Sequence, residues 1–311
     1  MARRSVMDYL LVDMGNTAIK WCLAPSLRKG LGPVHSEAWS SDGSGPEAMA
    51  RLMAKAIAQQ TQQGPSAGRR GLGPGALEMV YCSVAPEQRT AALVASLCKA
   101  LGCEARPFLS QARLKVGPDK MHRHGQTLEL VNGYKNPRQL GSDRWAALWG
   151  LVSSPALWPE SVAADGQTEG AVVLVSAGTA TVMDWLSVDA CTRPGLTRFN
   201  FQGGTIRPGY GLMAKVLGES TAGLGPQSPA VTRAAMQQGI AQAQVSGVFS
   251  RGRPCLVAVH GGYARQWLRD YVRYFGAAGQ SAPVEGVKRP AVVHAPGLIL
   301  KGLKAWRLAS N

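Results

Sequence analysis

The strongest constraint on this chain is a pattern that occurs twice. Residues 9–23 run Tyr-Leu-Leu-Val-Asp-Met-Gly-Asn-Thr-Ala-Ile-Lys-Trp-Cys-Leu. An apolar strand reaches Asp13, turns through Gly15, Asn16 and Thr17, and resumes with Ile19, Trp21 and Leu23 at alternating positions. Residues 171–186 repeat the design: an apolar run into Ser176, a turn at Gly178 and Thr179, and a second apolar strand through Thr181. One copy is compatible with an ordinary β-hairpin. Two copies, one in each half, predict an internal duplication, with halves of related topology facing each other across a nucleotide cleft.

The residue types at the turns carry the chemistry. Glycine at position 15 lets the backbone approach a ligand, while Asn16, Thr17 and the turn N–H groups are donors suited to phosphate oxygens. Asp13 is an oxygen ligand suited to Mg²⁺. The rest of the chain alternates strand and helix signals, which predicts an α/β fold. Helical spacing covers 47–60 and 88–101, an apolar strand lies at 79–84, and 62–75 and 104–130 read as loop-rich. His122 and His124 lack a third ligand nearby and receive no metal role. Asp143 opens a further helix whose apolar side carries Trp145, Leu148, Trp149 and Val152. At that position an Asp either satisfies free N–H groups of the first turn or does chemistry. Residues 155–169 read as a connection into the second half.

Composition narrows the class. The 311 residues, 45% of them hydrophobic, suffice for two packed cores. No apolar run approaches the roughly 20 residues needed to cross a bilayer, and no signal-type block follows the start, so a soluble, cytoplasmic protein is expected. Six cysteines show no CxxC pair and no zinc spacing, which favours structural thiols. The net charge of +15 attracts anionic ligands such as ATP. Its Lys and Arg residues are scattered, with no aromatic-interleaved basic stretch, so no specific nucleic-acid partner is expected.

Four motifs then stand in order: Asp13-Met14-Gly15-Asn16-Thr17 with Lys20; Gly133-Tyr134 through Gly141-Ser142-Asp143-Arg144-Trp145; Gly178-Thr179-Ala180-Thr181; and Gly203-Gly204-Thr205 through Gly209. Over roughly residues 8–308 the chain resembles type III pantothenate kinases. That family includes the Bvg accessory factors and belongs to the acetate and sugar kinase, Hsp70 and actin superfamily. The resemblance implies two RNase H-like halves, placed here at 8–140 and 141–308, each a mixed sheet flanked by helices. It implies ATP-dependent phosphorylation of pantothenate, the first step towards coenzyme A. ATP and phosphate contacts fall on Asp13, Met14, Gly15, Asn16, Thr17, Ala18, Ile19, Lys20, Gly178, Thr179, Thr181, Gly261 and Gly262.

The same resemblance makes Asp143 the catalytic base and places Tyr134, Gly141, Ser142, Asp143 and Arg144 around pantothenate. Arg144 either pairs with the substrate carboxylate or braces Asp143. Thr232 is either a helix N-cap or reaches the pantothenate pocket of a partner subunit, which would make the active unit a homodimer. Mg²⁺ accompanies the phosphates at Asp13. Many relatives carry Asp where this chain has Ser176, as a ligand of potassium or ammonium, so that cation site is in doubt here. His260 replaces Thr in a Thr-Gly-Gly turn on the adenosine side. The alternative reading is a noncatalytic or regulatory protein on the same scaffold, against which stand both Asp13 and Asp143.

Overall fold

The computed structural model describes residues 7–27, 30–39, 45–63, 77–117, 127–158, 171–190, 195–221, 223–224, 227–276 and 290–310. His122, His124, residues 159–169 and residues 64–75 lie outside them. The chain forms two compact units, and neither is a single stretch of sequence. The first comprises Met1–Gln111, Asn136–Ser153 and Leu298–Asn311; the second comprises Ala112–Lys135 and Ser154–Gly297. The sequence places the boundary between the halves at 140 and 141, within the first unit. In the structure, the Asp143 helix and the C-terminal helix both pack with the N-terminal segment.

The first unit is built on β1 (Asp8–Met14), β2 (Ala18–Ala24), β3 (His35–Ala38), β4 (Leu77–Ser83) and β5 (Glu104–Pro107), in sheet order β3-β2-β1-β4-β5. The first three strands are antiparallel neighbours, and β4 and β5 run parallel to β1. Crossovers through α1 (Pro46–Gln63) and α2 (Glu87–Leu101) make the parallel pairings possible. Alternation sends Leu10, Val12, Met14, Ile19 and Trp21 into a core with Met53 and Ile57 of α1 and Leu93 and Leu97 of α2.

On this unit α3 (Ser142–Val152) packs against α7 (Leu298–Ala309). Their crossing depends on glycine. A Cβ on Gly302 would run into the Ala146 carbonyl, and one on Gly150 into the Leu298 carbonyl. Arg307 of α7 anchors the helix by a bidentate pair with the buried Glu78 of β4, at 2.6 and 2.9 Å. Planar two-point pairing of this kind fixes orientation as well as position.

The second unit contains β6 (Arg113–Val116), β7 (Thr127–Asn132), β8 (Ala171–Ala177), β9 (Ala180–Ala190), β10 (Leu196–Pro208), β11 (Pro254–His260) and β12 (Ala291–His294), in order β12-β11-β8-β9-β10-β7-β6. Taken from β8, the order β10-β9-β8-β11-β12 repeats that of the first sheet. The directions repeat too: β8, β9 and β10 are antiparallel neighbours, and β11 and β12 run parallel to β8. Both units therefore have the RNase H-like order, and the duplication read from two turns extends through five strands of each sheet. Strands β6 and β7 extend the second sheet beyond β10. They lie within the stretch read as loop-rich, because a four-residue strand such as Arg113–Val116 carries too short a pattern to stand out. Around this sheet lie α4 (Tyr210–Ser220), α5 (Ala230–Val245) and α6 (Ala264–Tyr271).

Candidate active site

In the first unit Asp13 sits near the end of the central strand. Antiparallel pairing puts Lys20 beside it on β2, and parallel pairing puts Cys82 beside it on β4. Only 6% of Asp13 is exposed. Burial pushes its carboxyl up to about 7; Lys20 opposes that rise, the Asp143 carboxylate adds to it, and the Cys82 hydrogen bond opposes it. The thiol points its Sγ at Asp13 Oδ1 from 3.8 Å, and burial together with Asp13 holds it protonated, well above the ordinary cysteine range.

The turn that follows is braced from a distance. Gly15 N–H closes it onto the Ala18 carbonyl at 3.0 Å. Trp39 then straddles it: its indole N–H donates to the Gly15 carbonyl at 2.8 Å and its backbone N–H to the Thr17 carbonyl at 3.0 Å. The guanidinium of Arg89 lies 5.0 Å over the Trp39 ring. Asn16 and Thr17 are left exposed at the tip. Met14 and Ile19, expected among the phosphate contacts, have side chains fully buried in the core, so only their backbones are available to a ligand.

Asp143 belongs to this same unit. Its helix is docked by Ser142, whose hydroxyl donates to the Ser83 carbonyl at 2.9 Å and accepts the Ser83 N–H at 3.2 Å. The N-cap position is Gly141 rather than Asp143. A Cβ on Gly141 would stand 2.8 Å from Asp143 Oδ1, so glycine there leaves room for the carboxylate. Asp143 Oδ1 accepts the Arg144 N–H at 2.7 Å. Burial raises the Asp143 pKa; the Arg144 N–H bond and the Arg144 charge restrain it. Two desolvated carboxylates, Asp13 and Asp143, thus share one neighbourhood, each with a cation beside it.

The second unit presents the corresponding turn with different chemistry. Gly178 N–H closes onto the Ala180 carbonyl at 3.0 Å, and the Thr179 carbonyl accepts the Gly209 N–H at 2.9 Å. Gly209 opens α4, and a Cβ there would collide with the backbone of Gly178 and Thr179. Thr179 is exposed, as a phosphate ligand must be. Thr181 is not: it is fully buried and its hydroxyl donates to Gln244 Oε1. Gln244, also fully buried, donates onward to the Pro208 carbonyl at 2.8 Å, and its own carbonyl accepts the Trp267 indole N–H at 3.1 Å. The Thr181 hydroxyl, expected among the phosphate contacts, is engaged in the core, so only the backbone of this residue is available to a ligand, and its side chain ties the turn to α4, α5 and α6.

At the end of β11, Gly261 (φ +104°) and Gly262 follow His260, and a Cβ on Gly261 would strike the Ala177 carbonyl. His260 Nε2 lies 2.6 Å from Ser176 Oγ. Tyr134 packs on Phe201 at 5.4 Å between ring centroids, with its N–H donated to Asn132 Oδ1 at 3.0 Å. Thr232 is not an N-cap: α5 starts at Ala230 with Pro229 in the cap position, which leaves Thr232 within the first turn. Trp39, Cys82 and the Ser176–His260 pair were not assigned from sequence, because each acts through a partner far away along the chain.

A family model described as type III pantothenate kinase matches residues 9–250. Relatives bearing that name include proteins of Azoarcus sp. strain BH72, 33% identical over 77% of this chain and 72% of its own length, and of Halorhodospira halophila, 28% identical over 96% of both. The match to the Aromatoleum aromaticum relative, 29% identical, covers 69% of this chain and 64% of that protein, less than two thirds of its length. The order of motifs, the duplicated sheet topology and the extent of the family match agree, and the chain belongs to the type III pantothenate kinase family.

Proposed function

We propose that the protein transfers the γ-phosphoryl group of ATP to the hydroxyl of pantothenate, the entry step to coenzyme A. The observation that carries this reading is the pair of desolvated carboxylates, the buried Asp13 and the half-buried Asp143, in one unit with Lys20 and the Gly15–Thr17 turn. Phosphoryl transfer requires positioning and neutralisation of charge more than covalent chemistry from the protein. Asp143 orients the hydroxyl and accepts its proton as the oxygen attacks the γ-phosphorus and ADP leaves. The Arg144 N–H and charge oppose the rise that burial imposes on the Asp143 pKa. Lys20, the exposed Asn16 and Thr17 and the turn N–H groups hold phosphate oxygens, with Thr179 and the Gly178 backbone serving the second turn.

Asp13 suits Mg²⁺. A carboxylate whose burial raises its pKa to about 7 gains most from a cation that restores its charge. Among the described residues no group of three or more His, Cys, Asp or Glu side chains is placed to hold a metal ion, and phosphates and water would complete the shell at Asp13. When bound, the ion neutralises charge on the transferring phosphates.

A homodimer is part of the proposal. The outer faces of α4 and α5 expose Leu212, Val216 and Val231, the last at 80%, beside Thr232. Covering such apolar side chains is favourable. A cytoplasmic location fits the absence, among the described residues, of any helix long and apolar enough to cross a membrane.

Comparison of turnover in the native protein and Asp143→Asn tests the assignment. Loss of the base should lower turnover by about 10²–10⁴-fold while Mg·ATP still binds. An Asp143→Asn protein as active as the native one would overturn it.

A further inference from the structure

The adjacent strands β8 and β11 run parallel, and their last paired residues are Ser176 and His260. In a sheet of this kind ligands gather at the carboxyl ends of parallel strands, and both residues sit there, immediately before the turns at Gly178 and Gly261. Their side chains are bonded to each other, Oγ to Nε2 at 2.6 Å, with only 6% of His260 exposed. The backbones beneath them are locked. Gly261 lies against the Ala177 carbonyl too closely for any side chain, and that carbonyl accepts the Tyr263 N–H at 2.9 Å.

A monovalent cation held at this edge needs several oxygen ligands, carbonyls or carboxylates. The side chains at the strand ends offer few. The Ser176 oxygen is engaged by an imidazole nitrogen, and neither β8 nor β11 contains an acidic residue. Asp184 of β9 lies one row further in, opposite Leu174 and Gly204, fully buried and with partners of its own. The imidazole, a covalent part of the chain, engages the Ser176 hydroxyl beside the second phosphate turn, the oxygen that a potassium or ammonium ion at this edge would need. Serine and histidine are complementary here: the hydroxyl is short enough to leave room for the ring, and the ring is held in place by the hydroxyl.

We infer that the Ser176–His260 pair substitutes for a monovalent cation, so that this protein binds nucleotide at the second turn without potassium or ammonium. The inference rests on the kinase reading above. It is tested by calorimetric titration of Mg·ATP into the full-length protein in potassium, ammonium or tetramethylammonium chloride at equal ionic strength. The affinity should be the same in all three. In the double variant Ser176→Asp, His260→Thr it should become potassium-dependent, by about tenfold, the scale of a modest coupling between two sites. His260→Gln, which keeps a hydrogen-bonding group, controls for folding and should remain potassium-independent.

A saturable gain in native affinity with potassium would overturn the inference. A second readout does not require nucleotide. Crystals soaked in thallium(I), a scatterer that takes potassium sites, should show no anomalous peak at Ser176 in the native protein, and a peak there would overturn the inference. Absence of ATP binding in every salt would count against the kinase reading, and the thallium map would still decide the question of the cation.

Discussion

The two phosphate-type turns share a topology and differ in almost everything else. In the first unit the central strand ends in a carboxylate, Asp13, flanked across the ladder by Lys20 and Cys82 and influenced by Asp143. In the second the equivalent strand ends in Ser176, bonded to His260, and the residue after the turn, Thr181, is turned inward onto Gln244. Duplication preserved strand order, direction and the glycines that close the turns. It did not preserve charge. Each unit buries acidic residues, Asp13 and Glu78 in the first and Glu129 and Asp184 in the second, but only the first places one at its turn, and the second turn is held by the Ser176–His260 and Thr181–Gln244 hydrogen bonds. A fold can thus be copied while the groups at its turns diverge.

The largest effect should come from breaking the frame that carries Asp143. Gly302→Val would drive a branched side chain into the Ala146 carbonyl at the α3–α7 crossing, where backbone cannot yield cheaply. A loss of more than about 3 kcal/mol is expected, measurable by urea denaturation. A variant as stable as the native protein would show that the crossing is looser than described.

Next is the charge itself. Because the Asp13 pKa is raised to about 7, its contribution to stability without ligand is full below the ordinary aspartate pKa and lost as pH rises through 7. The thermal midpoint of the free protein should therefore fall between pH 5 and pH 8. Asp13→Asn should remove the Asp13 share of that slope, leaving the part due to Asp143, and stabilise the free protein above pH 7 by up to about 4 kcal/mol, while abolishing Mg²⁺-dependent turnover. A slope unchanged in the variant would assign it to another group.

The second turn is sharpened by Gln244→Ala, which strands the buried Thr181 hydroxyl and the Pro208 carbonyl. A cost of about 1–3 kcal/mol is expected for the orphaned groups, without the pH signature of Asp13. Smallest is Cys82→Ser. A hydroxyl donates more strongly than a thiol, so the Asp13 titration should move towards acid by less than about one pH unit. A move towards alkali would place the Cys82 contact elsewhere.

What was legible in the sequence was local. Both hairpins, the helix opening at Asp143, and the exposed Asn16, Thr17 and Thr179 follow from short periodicities and turn residues. The remainder depends on register between distant segments. Trp39 braces Gly15 across 24 residues, Ser142 docks on Ser83 across 59, and His260 meets Ser176 across 84. No window of sequence contains both members of any of these pairs. Thr181 shows the converse: its place in a Gly-Thr-Ala-Thr motif suggested a ligand, but strand alternation points its side chain into the core. The boundary near residue 140 failed to show α3 and α7 packing with the N-terminal segment, because their contacts run through Gly150 and Gly302 rather than through any linker.

The most direct measurement is phosphorus NMR of the purified protein with Mg²⁺, ATP and pantothenate. A phosphomonoester signal that grows with ADP, requires both substrates and is lost in Asp143→Asn is the expected result. ADP formed without that phosphomonoester, or no turnover at all, would contradict it.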